Sequence, residues 1–248
     1  MDKDVLNELK KELPTIYWKF REGKKDFLLK YCKRYHEIEL RNIFYLISQK
    51  IISEKSGDMD TLNAIAILVL TWNWDAYYRT RKEKVKTIDQ DILNAYNEYK
   101  SRFEKMLSDK KLETIDLDNE EIARAVGNAF DIFADRLDPV GASKALHTIK
   151  PDLFVMWDNK IQNEYRFQKQ VKGVYIPLNG EAYIHFLRFS QEIAKITLQE
   201  ISLDELRDEH YSQLEQSEKQ LLDRFLCKEA LPKMLDEANY AYVRSKPQ

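Results

Sequence analysis

Apolar residues return every three or four positions along almost the whole chain, a spacing that lines one face of an α-helix and that the two-residue period of a strand does not reproduce. Val5, Leu6, Leu9 and Leu13 set the rhythm until Pro14 interrupts it. Leu28, Leu29, Tyr31, Cys32 and Tyr35 resume it, and Ile38, Ile43, Leu46, Ile47 and Ile51 carry it to a turn at Ser56-Gly57-Asp58. A second long helix is predicted from Asp60 or Thr61, either of which suits an N-cap. It contains the run Ala64 to Leu70, seven apolar residues long, and is expected to be the most buried helix. Lys82 to Thr87 breaks the pattern; Ile88 to Met106 and Asp118 to Leu137 read as two amphipathic helices around a polar loop at Ser108 to Asp116. With only 6 Gly and 6 Pro in 248 residues, too few turn residues remain for a sandwich of short strands. The expectation is an all-α fold.

Other classes are excluded on similar grounds. The seven-residue apolar run is far short of the ~20 residues that cross a bilayer. The start, Met1-Asp2-Lys3-Asp4, is charged and leads into an amphipathic stretch rather than a secretory core, so a cytoplasmic protein with no membrane partner is expected. Cys32 and Cys227 lack CxxC or Cys/His ligand spacing, and His36, His185 and His210 show none among themselves; neither a disulfide framework nor a metal site is expected. The formal net charge is -2, but it is unevenly spread. Residues 19–34 hold seven Lys or Arg against two acids, whereas 200–237 holds eleven Asp or Glu against five bases. The acidic stretch is expected to face solvent, away from nucleic acid, or to recruit a basic partner.

Turn residues and short apolar groups concentrate in Asp138 to Lys160, DPVGASKALHTIKPDLFVMWDNK. Pro139 and Gly141 suit a tight hairpin, Ser143 to Ile149 a short helix, Lys150-Pro151 its end, and Asp158 the cap of another helix. Beyond it, Val171 to Pro177 reads as a brief extended piece, and helices are predicted over Glu181 to Leu198, Leu203 to Leu226 and from Ala230 onward.

Within this segment, Val140-Gly141, Lys144, Lys150-Pro151 and Asp158 resemble the signature of the helix-hairpin-helix DNA glycosylases, in particular the 8-oxoguanine branch. The likeness covers roughly 25 residues, Leu137 to Ile161. It implies a multi-helix, two-lobed array. Residues 1–248 would form a single all-α unit, with about 60–135 as one lobe and 1–59 plus 136–248 as the other. It also implies excision of a damaged or modified base, such as an oxidised purine, with or without strand cleavage at the abasic site, and no cofactor. Lys144 would be the nucleophile and Asp158 the carboxylate that stabilises positive charge on the sugar. The partner would be DNA, either a lesion-bearing duplex or a single strand.

Supporting contacts can be read around that pair. Val140, Gly141, Ser143, His147 and Lys150 are candidates for phosphate contact, with His147 three residues beyond Lys144 on the same face. Trp72-Asn73-Trp74 leads into Arg79 and Arg81, an aromatic-then-basic run suited to flipped or single-stranded nucleotides, while Arg166 and Lys169 form a second basic edge. Trp72, Trp74 and Trp157 are the candidate stacking surfaces. Two other classes fit the same sequence: a non-catalytic DNA-binding protein of this fold, and a helical protein-interaction module.

Overall fold

A computed structural model describes residues 15–39, 42–53, 59–74, 88–165, 170–171, 174–175, 177–225 and 230–246. The helices are α1 (Thr15–Ile38), α2 (Asn42–Ser53), α3 (Met59–Trp74), α4 (Ile88–Tyr99), α5 (Glu120–Arg136), α6 (Pro139–Ile149), α7 (Asn159–Glu164), α8 (Gly180–Leu198), α9 (Leu203–Gln213), α10 (Gln216–Phe225) and α11 (Leu231–Ser245). α4 continues through a π turn at Lys100–Glu104 into Lys105–Leu107. The extended element is a two-residue antiparallel pair, β1 (Gln170–Val171) with β2 (Val174–Tyr175). The all-α expectation therefore holds for the described residues, none of whose helices is long and apolar enough to cross a membrane. The helix read over Val5 to Leu13 and the turn at Ser56 to Asp58 lie outside them.

Helix starts follow local chemistry. Asn119, Asp138, Asp158, Asn179 and Ser202 each accept a backbone N–H of the first turn of the helix they precede, and Ser202 with Glu205 completes a reciprocal capping box. α5 and α8 cross where Gly127 meets Gly180; a Cβ on Gly180 would lie 2.3 Å from the Gly127 carbonyl oxygen, so only glycine permits this approach. α11 lies along α1, α8 packs on α5, and α3 packs on both α2 and α6.

One large core joins the two stretches read as lobes: Ile67, Ile92, Tyr96, Phe130 and Phe133 share it with Phe20, Leu146, Trp157, Phe186 and Met234. A smaller cluster holds Tyr45, Leu46, Leu70, Met156, Leu214 and Leu222.

Three expectations are corrected. No hairpin separates α5 from α6: α5 ends at Arg136, and Pro139 is already in the first turn of α6 under the Asp138 cap. Proline at that position lacks only an N–H that a helix start leaves unused, so Asp-Pro reads physically as a helix start as well as a turn. The helix predicted over Leu203 to Leu226 is broken at Leu214, whose backbone is extended (ψ 152°). The break turns Leu214 and Leu222 toward the same small cluster. Finally, α3 is not the most buried helix, since Ile65 is 42% exposed, whereas Leu231 to Asn239 of α11 are all buried.

The charge imbalance closes on itself. Lys24 pairs with Glu200 at 2.5 Å, Lys25 with Glu209 at 3.2 Å and His36 with Glu218 at 3.0 Å. The basic face of α1 thus docks on the acidic region that follows α8. Asp236 and Glu237 are buried rather than solvated, contrary to the expectation of a solvent-facing acidic half. At Lys24 the backbone adopts φ 43°, a strained value for a residue with a Cβ, which bends α1 beside this contact.

Candidate functional site

Lys144 projects from the middle of α6, which is covered by α3 and α5. After Ile149 the chain returns beneath α6 as an irregular strand, Lys150 to Asp158, and every turn of that return is tied down. His147 Nδ1 meets the Phe154 carbonyl at 2.5 Å, Tyr183 Oη donates to the Val155 carbonyl at 2.8 Å, and Trp157 N donates to Ser143 Oγ at 3.2 Å. A buried irregular segment needs such partners, because an unmatched backbone group away from water costs about 1–3 kcal/mol. The Trp157 ring anchors the end of the return. It packs against Phe130, Tyr183 and Phe186, and its Nε1 donates to the Pro139 carbonyl at 2.8 Å.

This return delivers Asp158 to the cavity that Lys144 lines. The cavity holds about 70 Å³ and is bounded by Glu39, Lys144, Met156, Trp157, Asp158, Ile161, Asp236, Tyr240 and Arg244. Asp158 does two things at once: Oδ1 accepts the Ile161 N–H at 2.8 Å and caps α7, and Oδ2 accepts from Arg244 Nη2 at 2.6 Å. The Arg244 guanidinium also lies 3.4 Å from the Tyr240 ring centre, and Tyr240 Oη donates to Glu39 Oε2 at 2.5 Å. Arg244 Nη1 is buried and makes no hydrogen bond, leaving a donor for an acceptor oxygen.

The fourth ionisable wall is Asp236, 5% exposed. Burial pushes its carboxyl up to about 7, against the pull of Lys233; Glu237 and Asp158 push the same way as burial. Near neutrality this carboxyl exchanges its proton readily, which suits a general acid or base. An amine, three carboxyl groups and a guanidinium therefore meet in one small space. Its size is far below the roughly 300–1,000 Å³ of pockets that enclose drug-sized ligands. Several water molecules fit it as it stands, and a nucleobase does not.

Most of the expected supporting contacts are spoken for. Gly141 N donates to Asp138 Oδ1 at 2.7 Å, so the N–H expected at a phosphate is used by the cap. Ser143 is fully buried and its hydroxyl donates to the Val140 carbonyl at 2.8 Å. Val140 is half-buried in the first turn of α6. His147 is fully buried, its ring 5.5 Å from that of Tyr45, and burial holds its pKa down at about 3. A neutral, enclosed imidazole cannot reach a phosphate, and that expectation is corrected. Trp157, 1% exposed with its ring among three aromatics, is an anchor of the return rather than an open stacking surface. Lys150 donates to the Ser108 carbonyl at 2.5 Å, clamping the loop before α5. Arg79, Arg81, Arg166 and Lys169 lie outside the described residues; Trp72 and Trp74 end α3, and their side chains lie outside them too.

Glu39, Asp236, Tyr240 and Arg244 escaped the sequence reading. The signal was the spacing of Asp236, Tyr240 and Arg244 at four-residue steps, one face of a helix, but it lies some 80 residues from Asp158.

No protein-family model matches the chain, and no curated protein and no solved structure matches it either.

Proposed function

We propose that the chain is a DNA base-excision enzyme, a glycosylase that forms a covalent intermediate through Lys144. The observation that carries this reading is the shared cavity of Lys144, Asp158 and Asp236. Attack of the Lys144 amine on the anomeric carbon forms a C–N bond as the glycosidic bond breaks, and the base leaves with that electron pair. Asp158 stabilises the positive charge that develops on the sugar, and Asp236 takes up the proton released by the amine. Arg244 Nη1 offers a hydrogen bond to a sugar or phosphate oxygen once its partner Nη2 lets Asp158 go.

The test is covalent trapping. Purified protein is incubated with duplexes bearing oxidised purines, other base lesions or an abasic site, in the presence of borohydride, which reduces the imine to a stable amine. A shifted band with at least one duplex is the expected result, and Lys144→Gln removes it while leaving the circular dichroism spectrum unchanged. Absence of an adduct across the panel, abasic DNA included, overturns the reading.

A second reading rests on a specific observation, the double engagement of Asp158 as helix cap and partner of Arg244. Under it the cavity is a buried structural ion network and the fold binds DNA without chemistry. Salt-dependent binding to undamaged DNA, unaffected by Asp158→Asn, together with no trapping, supports that alternative.

A further inference from the structure

One residue on from Asp236, about 100° around α11, a second set of polar side chains converges. Cys32 and His36 stand four residues apart on one face of α1, His210 is on α9 and Glu237 on α11. All four are at most 9% exposed. Glu237 Oε2 lies 3.5 Å from His36 Nε2 and 3.8 Å from His210 Nε2. The ligand atoms of Cys32, His210 and Glu237 all lie within 4.8 Å of one another.

These distances are too long for hydrogen bonds. Glu237 Oε2 accepts none, although it is fully buried. They match something else. Nitrogen, oxygen and sulfur ligands about 2.0–2.3 Å from a tetrahedral zinc stand roughly 3.3–3.8 Å apart from one another.

The surrounding groups are arranged as those around a metal are. His36 Nδ1 is 3.0 Å from Glu218 Oε1, so the imidazole donates there and turns its Nε2 lone pair toward Glu237. Glu237 Oε1 accepts from Lys233 Nζ at 2.8 Å, which fixes the carboxylate and leaves Oε2 directed at the two imidazoles. Lys233 is itself fully buried, 4.2 Å from the Tyr35 ring centre. The charges also close: a divalent ion with Lys233 balances Glu237, Glu218 and a Cys32 thiolate. Access comes from a cavity of about 440 Å³ between α1, α2 and the α9–α10 junction, which His36 and Glu218 line.

We propose that Cys32, His210 and Glu237 form a binding site for a divalent transition metal, zinc by the mixed sulfur, nitrogen and oxygen donor set, with His36, 3.5 Å from Glu237 Oε2, the nearest further donor to complete a tetrahedron. With protein donors on every side the site is structural. It staples α1, α9 and α11, and α11 in turn presents Asp236 and Arg244 to the Lys144 cavity. The proposal is independent of the DNA reading, because none of its donors lines the Lys144 cavity and its test measures no activity.

The full chain, stripped with chelator, is titrated with Zn2+ and with Co2+. One equivalent of each is expected to bind. The Co2+ form is expected to show the intense visible bands of tetrahedral cobalt and a near-ultraviolet thiolate-to-cobalt charge-transfer band. Cys32→Ser removes the charge-transfer band. His210→Gln lowers Zn2+ affinity at least 100-fold, and Glu218→Gln, at the rim of the cavity, lowers it about 10- to 100-fold by replacing the carboxylate behind the His36 ring with a neutral amide. Zn2+ also raises the midpoint of thermal unfolding of the wild type and not of His210→Gln. Should His210→Gln fail to fold, Glu218→Gln carries the affinity test. Failure to bind one equivalent, a cobalt spectrum without tetrahedral bands, or Zn2+ affinity unchanged in Glu218→Gln overturns the proposal.

Discussion

α3 and α11 invert the usual relation between hydrophobicity and burial. α3 carries the longest apolar run in the chain, yet Ile65 is 42% exposed, because the helix packs with one side on α2 and α6 and the other on α4. α11 reads LPKMLDEANYAYVRS, and its residues 231–239 are buried without exception, Lys233, Asp236 and Glu237 among them. What separates the two is the supply of partners. Each ionisable group of α11 finds an opposite charge or a ring: Lys233 has Glu237, Tyr35 and Tyr45, Glu237 has the two imidazoles as well, and Arg244 has Asp158 and Tyr240. Burying a charge is costly unless it is paired, so nine consecutive buried positions with three charges mark a helix built for polar work. The Lys144 cavity borders it through Asp236, Tyr240 and Arg244.

The comparison breaks most visibly at Lys233. Lys233→Met, measured by urea unfolding with chelator present, is expected to lose about 3–5 kcal/mol, since Glu237 is left buried without its cation. The double change Lys233→Met with Glu237→Leu is expected to recover most of that loss. If the single change costs less than about 1 kcal/mol, the charges of α11 are not the partnered set described here.

A smaller effect comes from His147, the neutral imbalance on the α3 side of α6. Its pKa is held down at about 3 by burial, against 6.5 in an unfolded chain. The unfolded state therefore binds the extra proton first as the pH falls below 6.5, and stability is lost toward pH 3. Between pH 7 and 4 the wild type should lose about 3 kcal/mol more than His147→Asn, whose amide keeps the bond to Phe154. Parallel pH profiles for the two proteins would show that His147 is protonated in the fold. The smallest effect belongs to α3: Ile65→Lys should change stability by less than about 0.5 kcal/mol, as an exposed site with no special partner allows.

Much of the helical layout was legible because helices are announced locally. The periodicities of α4, α5 and α8 and the cap Asp158 can be found within windows of a few residues, whereas Asp60 and Thr61, read as caps, lie inside α3, which starts at Met59. Asp138-Pro139 shows the limit of that reading: the same pair announces a turn or a helix start, and in the fold Asp138 caps α6 by accepting the Gly141 N–H. The break at Leu214 carried no Gly or Pro to mark it. Of the candidate site, Lys144 and Asp158 were legible only through the resemblance of Leu137 to Ile161 to a family signature; that the chain returns Asp158 to the Lys144 cavity was decided by the fold. The four-residue step from Cys32 to His36 was passed over as no ligand spacing, because it brings the two side chains to one face only where α1 is helical.

The sequence by itself determined a helical chain and the positions of most helix starts, since each depends on interactions within one or two turns of chain. Tertiary structure alone decided that Asp236 and Arg244 complete the Lys144 cavity, that α1 and the acidic region neutralise each other, and that His36, His210 and Glu237 face a common point. Those pairings span up to 201 residues of chain, and periodicity carries no record of which helix faces which.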